Sequence, residues 1–116
     1  MHEVGLMQSV LTMSLKAAEA HRAVRIDAIH LRIGALAGVV PEALQFAFEC
    51  LRMGTLAESA VLKIESVPIL CWCRKCQSDF RPENQFTPCP KCGLSDFEIR
   101  GGLEMNLVSL EIPDHV

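Results

Sequence analysis

Cys73-x2-Cys76 and Cys89-x2-Cys92, with twelve residues between the pairs, can each place two thiolates on one small ion. The intervening loop lets the second pair close a tetrahedron around Zn²⁺. The stretch around them, residues 70–100, has few large apolar side chains: Trp72, Phe80, Phe86 and Phe97. So small a segment cannot offset its chain entropy by burial, and a structural metal is the expected substitute for a core. Gly93, directly after Cys92, permits the tight turn that a metal knuckle needs.

Two other readings of these cysteines compete. Disulfides belong to oxidising compartments. No positively charged stretch followed by an apolar run and a cleavage site opens the chain, so a cytoplasmic protein with metal-bound thiolates is expected. Trp72-Cys73-Arg74-Lys75-Cys76 also spells a W-C-x-x-C redox motif. That motif should open a helix, and Pro82, Pro88 and Pro90 break the segment that would have to form it. Of the remaining cysteines, Cys50 falls in an apolar helical stretch and reads as a small buried hydrophobe. Cys71, two residues before Cys73, is a spare thiol that could compete for the metal or oxidise, and an uncommitted side chain is the plainer expectation.

A second constellation opens the chain: Met1-His2-Glu3. A free α-amine, the amide nitrogen of residue 2 and His2 Nδ1 can chelate one ion in fused rings. Glu3 adds either its backbone nitrogen or its carboxylate to complete a plane. Nitrogen donors in a plane favour Ni²⁺ or Cu²⁺ over tetrahedral Zn²⁺. The first N–H groups of a helix have no intrahelical acceptor, so an amide there can yield its proton without breaking the ladder. Met1 is expected to remain, because His2 is too large for removal of the initiator. On these residues alone the alternative is a frayed terminus. His21, at the end of the first helix, His30, on a strand's polar face, and His115, in the tail, have no neighbours at metal-binding spacing.

Composition limits the partners. A net charge of −3 over 116 residues lacks the clustered Lys and Arg of a nucleic-acid binder. Arg74, Lys75 and Lys91 lie beside the cysteines, where four thiolates on Zn²⁺ would leave two negative charges for them to balance. No apolar run is long enough for a membrane span.

The elements follow from periodicity. Val4, Met7, Val10, Leu11, Leu15 and Ala18 recur at helical spacing, predicting a helix from Glu3 to about Arg22. From Val24 to Gly34 the pattern alternates, with Ile29, Leu31 and Ile33 on one side and His30 and Arg32 on the other, as in a half-buried strand. Pro41 suits the first turn of a second helix, with Leu44, Ala47, Phe48 and Leu51 as its stripe. Val61 to Leu70 and Leu103 to Ile112 read as further strands, the last stopped by Pro113. The expected fold is α+β: two helices on a three-stranded sheet, with an inserted zinc-ribbon-like module built on the four paired cysteines. The expected division is a nickel-binding α/β domain of residues 1–69 plus 101–116 and a zinc-binding module of residues 70–100. Strand order is not readable at this level.

Met1-His2-Glu3 at the head of a helix, followed by the Cys73/Cys76/Cys89/Cys92 pattern and a closing strand around Glu104 to Glu111, resembles the HypA/HybF family over essentially the whole chain. That resemblance implies a nickel metallochaperone for maturation of [NiFe]-hydrogenase. It implies Ni(II) as transferable cargo on His2, with the Met1 amine and Glu3 beside it, and structural Zn(II) on Cys73, Cys76, Cys89 and Cys92. It further implies a maturation GTPase and the hydrogenase large-subunit precursor as partners, and a monomer or weak homodimer.

The sequence departs from the family's pattern in two places. Gly5 stands in the first turn where Ser or Ala is commoner, loosening that end. The neighbours of the cysteine pairs are Gln77, Ser78 and Gly93, so a His-for-Cys exchange at zinc has no histidine to use, and Cys71 is the one nearby substitute.

No phosphate loop ending in Gly-Lys-Ser/Thr is present, so nucleotide chemistry would come from a partner. Hydrolytic catalysis is not expected, because four cysteines close a zinc site and neither a Gly-x-Ser-x-Gly elbow nor a His-Glu-x-x-His helix occurs. The rival reading is a zinc-ribbon adaptor for protein or nucleic acid with no nickel role. A basic stripe would favour it, and none is present.

Overall fold

The structure, a computed structural model, describes residues 2–114 and has the α+β architecture. The chain runs α1 (His2–Ala20), β1 (Ala28–Gly34), α2 (Pro41–Leu51), β2 (Val61–Val67), β3 (Leu70–Cys73), β4 (Ser78–Phe80), β5 (Phe97–Gly101) and β6 (Met105–Glu111). It divides into two compact units. The first takes residues up to Arg32, Val39–Glu65 and Asn106 onward; the second takes Ile33–Gly38 and Ser66–Met105. Among the described residues no helix is long and apolar enough to cross a membrane.

In the first unit α1 and α2 pack together, and the buried side of α1 is the stripe Glu3, Met7, Val10, Leu11, Ser14 and Ala18. Glu3 and Ser14 belong to that stripe although their polarity alone would put them outside. Leu44, Ala47 and Phe48 of α2 complete the helical layer. Ile29 and Leu31 of β1 are buried while His30 and Arg32 are half-buried, so the alternation in the sequence is realised. Cys50 is exposed, because it points away from the face that carries Leu44, Ala47 and Phe48.

The sheet order is β2-β1-β6, with the first strand in the middle. Val61 N–H donates to Asp27 C=O and Ala35 N–H donates to Val67 C=O, so β1 and β2 run the same way and α2 is the crossover between them. Asp27 N–H donates to Glu111 C=O and Gly34 N–H to Glu104 C=O, so β6 runs oppositely. The expected second strand stops at Val67, because Pro68 has no N–H to give to a ladder. Polar side chains pair across the strands: Glu111 accepts from His30 and, at 3.3 Å, from Lys63, and Arg32 pairs with Glu65. The bond from His30, then Lys63, holds the Glu111 carboxyl below the usual carboxylate range. Such half-exposed pairs each contribute little to stability.

In the second unit β3 lies between β4 and β5, antiparallel to both. Leu70, expected as the end of one long strand, instead starts this separate sheet. Gly34 and Gly102 meet here backbone to backbone. A Cβ on Gly34 would stand 2.1 Å from the Gly102 carbonyl oxygen, and Gly102 itself has φ +109°. Gly34→Ala is therefore expected to cost about 3 kcal/mol or more, since backbone cannot move aside as a flexible side chain can. Denaturant unfolding checks this beside Gly5→Ala as control. A Cβ on Gly5 meets nothing within 4 Å, and that helical exchange should gain roughly 0.5–1 kcal/mol. Equal midpoints for the two variants would contradict the contact.

Candidate metal centre

Both cysteine pairs sit on the same kind of turn. After Cys73 at the end of β3, the chain reverses so that Gln77 N–H donates to Cys73 C=O at 2.8 Å. After Cys89, Gly93 N–H donates to Cys89 C=O, also at 2.8 Å. Each turn is completed by a residue in the left-handed region, Gln77 at φ 52° and Gly93 at φ 72°. Glycine takes that conformation freely, whereas glutamine pays a steric cost. Sequence marks Gln77 only as a neighbour of the cysteines and not as a turn residue, although it stands four residues after Cys73 as Gly93 stands four after Cys89.

The turns point four sulfurs at one another. Cys73 Sγ lies 3.6 Å from Cys92 Sγ and Cys89 Sγ 3.9 Å from Cys76 Sγ, and all four lie within 4.8 Å. Zinc–sulfur bonds of about 2.3 Å give a tetrahedron with edges of roughly 3.8 Å, so the cluster is already close to the size the ion requires. Cys76 N–H also approaches Cys73 Sγ at 3.5 Å, the kind of amide contact that supports a thiolate. Cys73 and Cys89 are buried, while Cys76 and Cys92 are half-buried.

Without a cation, four thiols at this spacing cannot ionise together. Burial, then hydrogen bonds with the other cysteines, pushes Cys76 up to about 12. The backbone N–H of Cys92, with help from Lys91, draws Cys89 down to about 7. A divalent ion reverses the first effect by supplying the charge that burial lacks. The residues present fit a tetrahedral, all-sulfur zinc site with no position left open.

Cys71 stays out of the cluster. It is fully buried on the same side of β3 as Cys73, and burial pushes its thiol up. The register sets Cys71 opposite Phe80 and Cys73 opposite Phe97. The two rings meet edge to face with centroids 5.5 Å apart. On the other side of β3, Arg100 stacks over Trp72 at 4.3 Å. These three aromatics are the unit's own packing, whereas Phe86 is 80% exposed. Arg74 pairs with Asp96 at 2.8 Å, so its charge has a carboxylate partner besides any thiolate.

At the head of α1, His2 is 63% exposed and its Nε2 lies 3.6 Å from Glu3 Oε2. The Glu3 side chain is only 7% exposed, and Oε2 accepts from Val40 N–H at 3.3 Å. That bond, then one from its own N–H, holds the Glu3 carboxyl below the usual range against the opposing effect of burial. Met1, part of the sequence-derived nickel site, lies outside the described residues, as does His115. Among the described residues no third ligating side chain joins His2 and Glu3. Further donors at this end would have to be main-chain nitrogens.

The protein-family model described as "Hydrogenase/urease nickel incorporation, metallochaperone, hypA" matches residues 1–112. A hydrogenase maturation factor HypA from Picosynechococcus is 46% identical over 112 residues, covering 97% of this chain and 99% of the relative. The solution structure of a HypA protein superposes with a TM-score of 0.72 at 27% identity, covering 97% of each chain. The solution structure of the Ni metallochaperone HypA from Helicobacter pylori gives 0.64 at 27% identity, covering 95% of this chain and 96% of that one.

Proposed function

The chain belongs to the HypA family of hydrogenase and urease nickel-incorporation metallochaperones, and from that premise we propose that it carries Ni(II) at its amino terminus and delivers it during maturation of [NiFe]-hydrogenase. The observation carrying this reading is the family match over residues 1–112, which takes in both the amino-terminal residues and all four clustered cysteines.

Cargo must be held firmly yet released. The Met1 amine, the amide of residue 2, His2 Nδ1 and a donor from Glu3 make a planar set suited to Ni²⁺. The exposure of His2 leaves an edge from which a recipient's ligands can attack. Zn(II) on Cys73, Cys76, Cys89 and Cys92 is structural in this reading, because a closed all-thiolate site offers neither substrate nor water a position. The protein makes and breaks metal–ligand bonds only, so it is a carrier and not an enzyme. Its partners are a maturation GTPase, which supplies the nucleotide chemistry, and the hydrogenase large-subunit precursor, all in the cytoplasm.

Nickel titration of the intact chain tests the site. About one ion per chain is expected, with a planar, low-spin spectrum if backbone amides ligate. His2→Ala should abolish binding, and residues added ahead of Met1 should weaken it by removing the free amine. Binding of equal strength after both changes would refute the site.

A further inference from the structure

A helix lying against a core ordinarily turns polar side chains to water. Helix α2 buries Leu44, Ala47 and Phe48, yet its outward side is not simply polar. Phe46 is 70% exposed and Met53 is 62% exposed, with Cys50 exposed between them. Met53 lies just past the C-cap residue Arg52, which keeps helical backbone angles and donates its N–H to Phe48 C=O, so the helical line carries on to it. Exposed apolar side chains are ordinary when scattered, but these are ordered. Glu42, Phe46, Glu49 and Met53 follow one another at the i+4, i+3, i+4 steps that align side chains along one seam of a helix. All four are exposed. The seam therefore alternates acid, aromatic, acid and thioether, and Cys50 lies beside it.

This alternation decides what can cover the seam. An antiparallel second copy that sets Phe46 on the copy's Met53 brings the two Glu49 carboxylates together near the two-fold axis. Shifting the copy to part them lays each Glu49 on the other's Phe46 and buries a charge against an apolar ring. A parallel copy faces Glu with Glu throughout. Like charges opposed and carboxylates buried unpaired both cost binding energy. A helix with Lys or Arg opposite Glu42 and Glu49, and apolar side chains opposite Phe46 and Met53, meets neither penalty. Glu49 is already shaped to take a cation, since its Oε2 accepts from Arg52 Nη2 at 2.5 Å. The net charge of −3 over the chain favours a basic partner as well.

We propose that the outward seam of α2 is a docking surface for a basic amphipathic helix of a partner protein. Phe46 and Met53 are its apolar anchors. Glu42 and Glu49 set the register of the incoming helix by pairing with its cations. None of these residues belongs to either metal-binding set, so the surface holds a partner and not an ion.

The test uses the full, zinc-loaded chain and two synthetic helical peptides. One carries Lys and Leu in alternation at the spacing of the seam, and the other has Glu in place of each Lys. Calorimetry should show micromolar binding of the Lys peptide, with the Glu peptide about tenfold weaker or worse. Phe46→Ala should weaken the Lys peptide roughly tenfold, as loss of an aromatic anchor does, with the unfolding midpoint of the parent retained because the side chain is exposed. Glu42→Lys combined with Glu49→Lys should invert the preference, so that the Glu peptide binds the tighter of the two. Residues that merely shaped the helix would not produce that inversion. Alkylation of Cys50 should slow when the Lys peptide is bound. No binding by the Lys peptide, equal binding of the two peptides, or parent-like binding by Phe46→Ala would overturn the proposal. Unchanged Cys50 alkylation at saturating peptide would place the contact elsewhere and overturn it too. Dimerisation of the parent that Phe46→Ala abolishes would do the same, by giving the seam to a second copy.

Discussion

Replacing any one of Cys73, Cys76, Cys89 and Cys92 by Ser, or stripping zinc with a chelator, should unfold residues 66–105 and leave the two helices standing. Apart from the buried Ile33, Ile69 and Cys71 and exposed ion pairs, the second unit rests on one edge-to-face pair of phenylalanines, one Trp72–Arg100 stack, and two strands of five residues or fewer on either side of β3. In modules of this size metal binding supplies the folding free energy, about 10–16 kcal/mol in comparable zinc peptides. The helices draw on a different core, built from Met7, Leu11, Leu44 and Phe48. Two signals separate the units. Trp72 is the only tryptophan, so its emission reports the second unit, while the far-ultraviolet helical signal reports α1 and α2. Chelation should shift the emission to the red and admit protease within 66–105, with the helical signal largely kept. Cys71→Ser is the discriminating control: it should retain zinc, and lose about 1–3 kcal/mol by placing a hydroxyl at a fully buried site. A metal-free protein with unchanged Trp72 emission and unchanged proteolysis would contradict a structural role for the ion.

His2→Ala should stop hydrogenase maturation in cells while leaving the protein folded and able to engage its partners. His2 is largely exposed and outside the buried stripe of α1, so the truncation removes the proposed ligand without opening a cavity. Added nickel should restore part of the activity, because a carrier speeds delivery and performs no chemistry that the ion cannot undergo without it. Hydrogenase activity with and without added nickel, beside pull-downs of the GTPase and the precursor, measures each part. Normal activity in the variant without added nickel would leave the amino-terminal site with no essential part in delivery. Loss of both activity and partner binding would mean that His2 contributes to docking.

Local signals carried a good share of the fold. The helices and β1 show in the spacing of Met7, Leu11, Ala18, Leu44, Phe48, Ile29 and Leu31, because side-chain burial repeats with the period of the backbone. The cysteine pairs show because two ligands on one ion need a short turn. What stayed hidden depends on partners distant in the chain. Strand order is set by pairing across many residues, so nothing within β6 announces that it joins β1. The strands Ser78–Phe80 and Phe97–Gly101 are too short to show a period, and exist because β3 lies between them. Cys50 looked internal by its neighbours' hydrophobicity, yet it falls off the face that α2 presents to the core. The burial of Glu3 was invisible for the same reason, since its acceptor role is fixed by Val40.

The middle strand of the β2-β1-β6 sheet waits for its second neighbour. A ribosome delivers β1, α2 and β2 in succession, and these can pair as they emerge. Strand β6 arrives only after the thiol-rich stretch has been made. Until then one flank of β1 offers a row of unpaired N–H and C=O groups, which is the template that edge-to-edge aggregation uses. Closing a long flexible loop costs entropy that grows with the logarithm of its length, and folding the intervening stretch around an ion shortens the loop that remains. On the proposal that this ion is zinc, its supply during synthesis would bear on the fate of the whole newborn chain, including the part that never touches the metal.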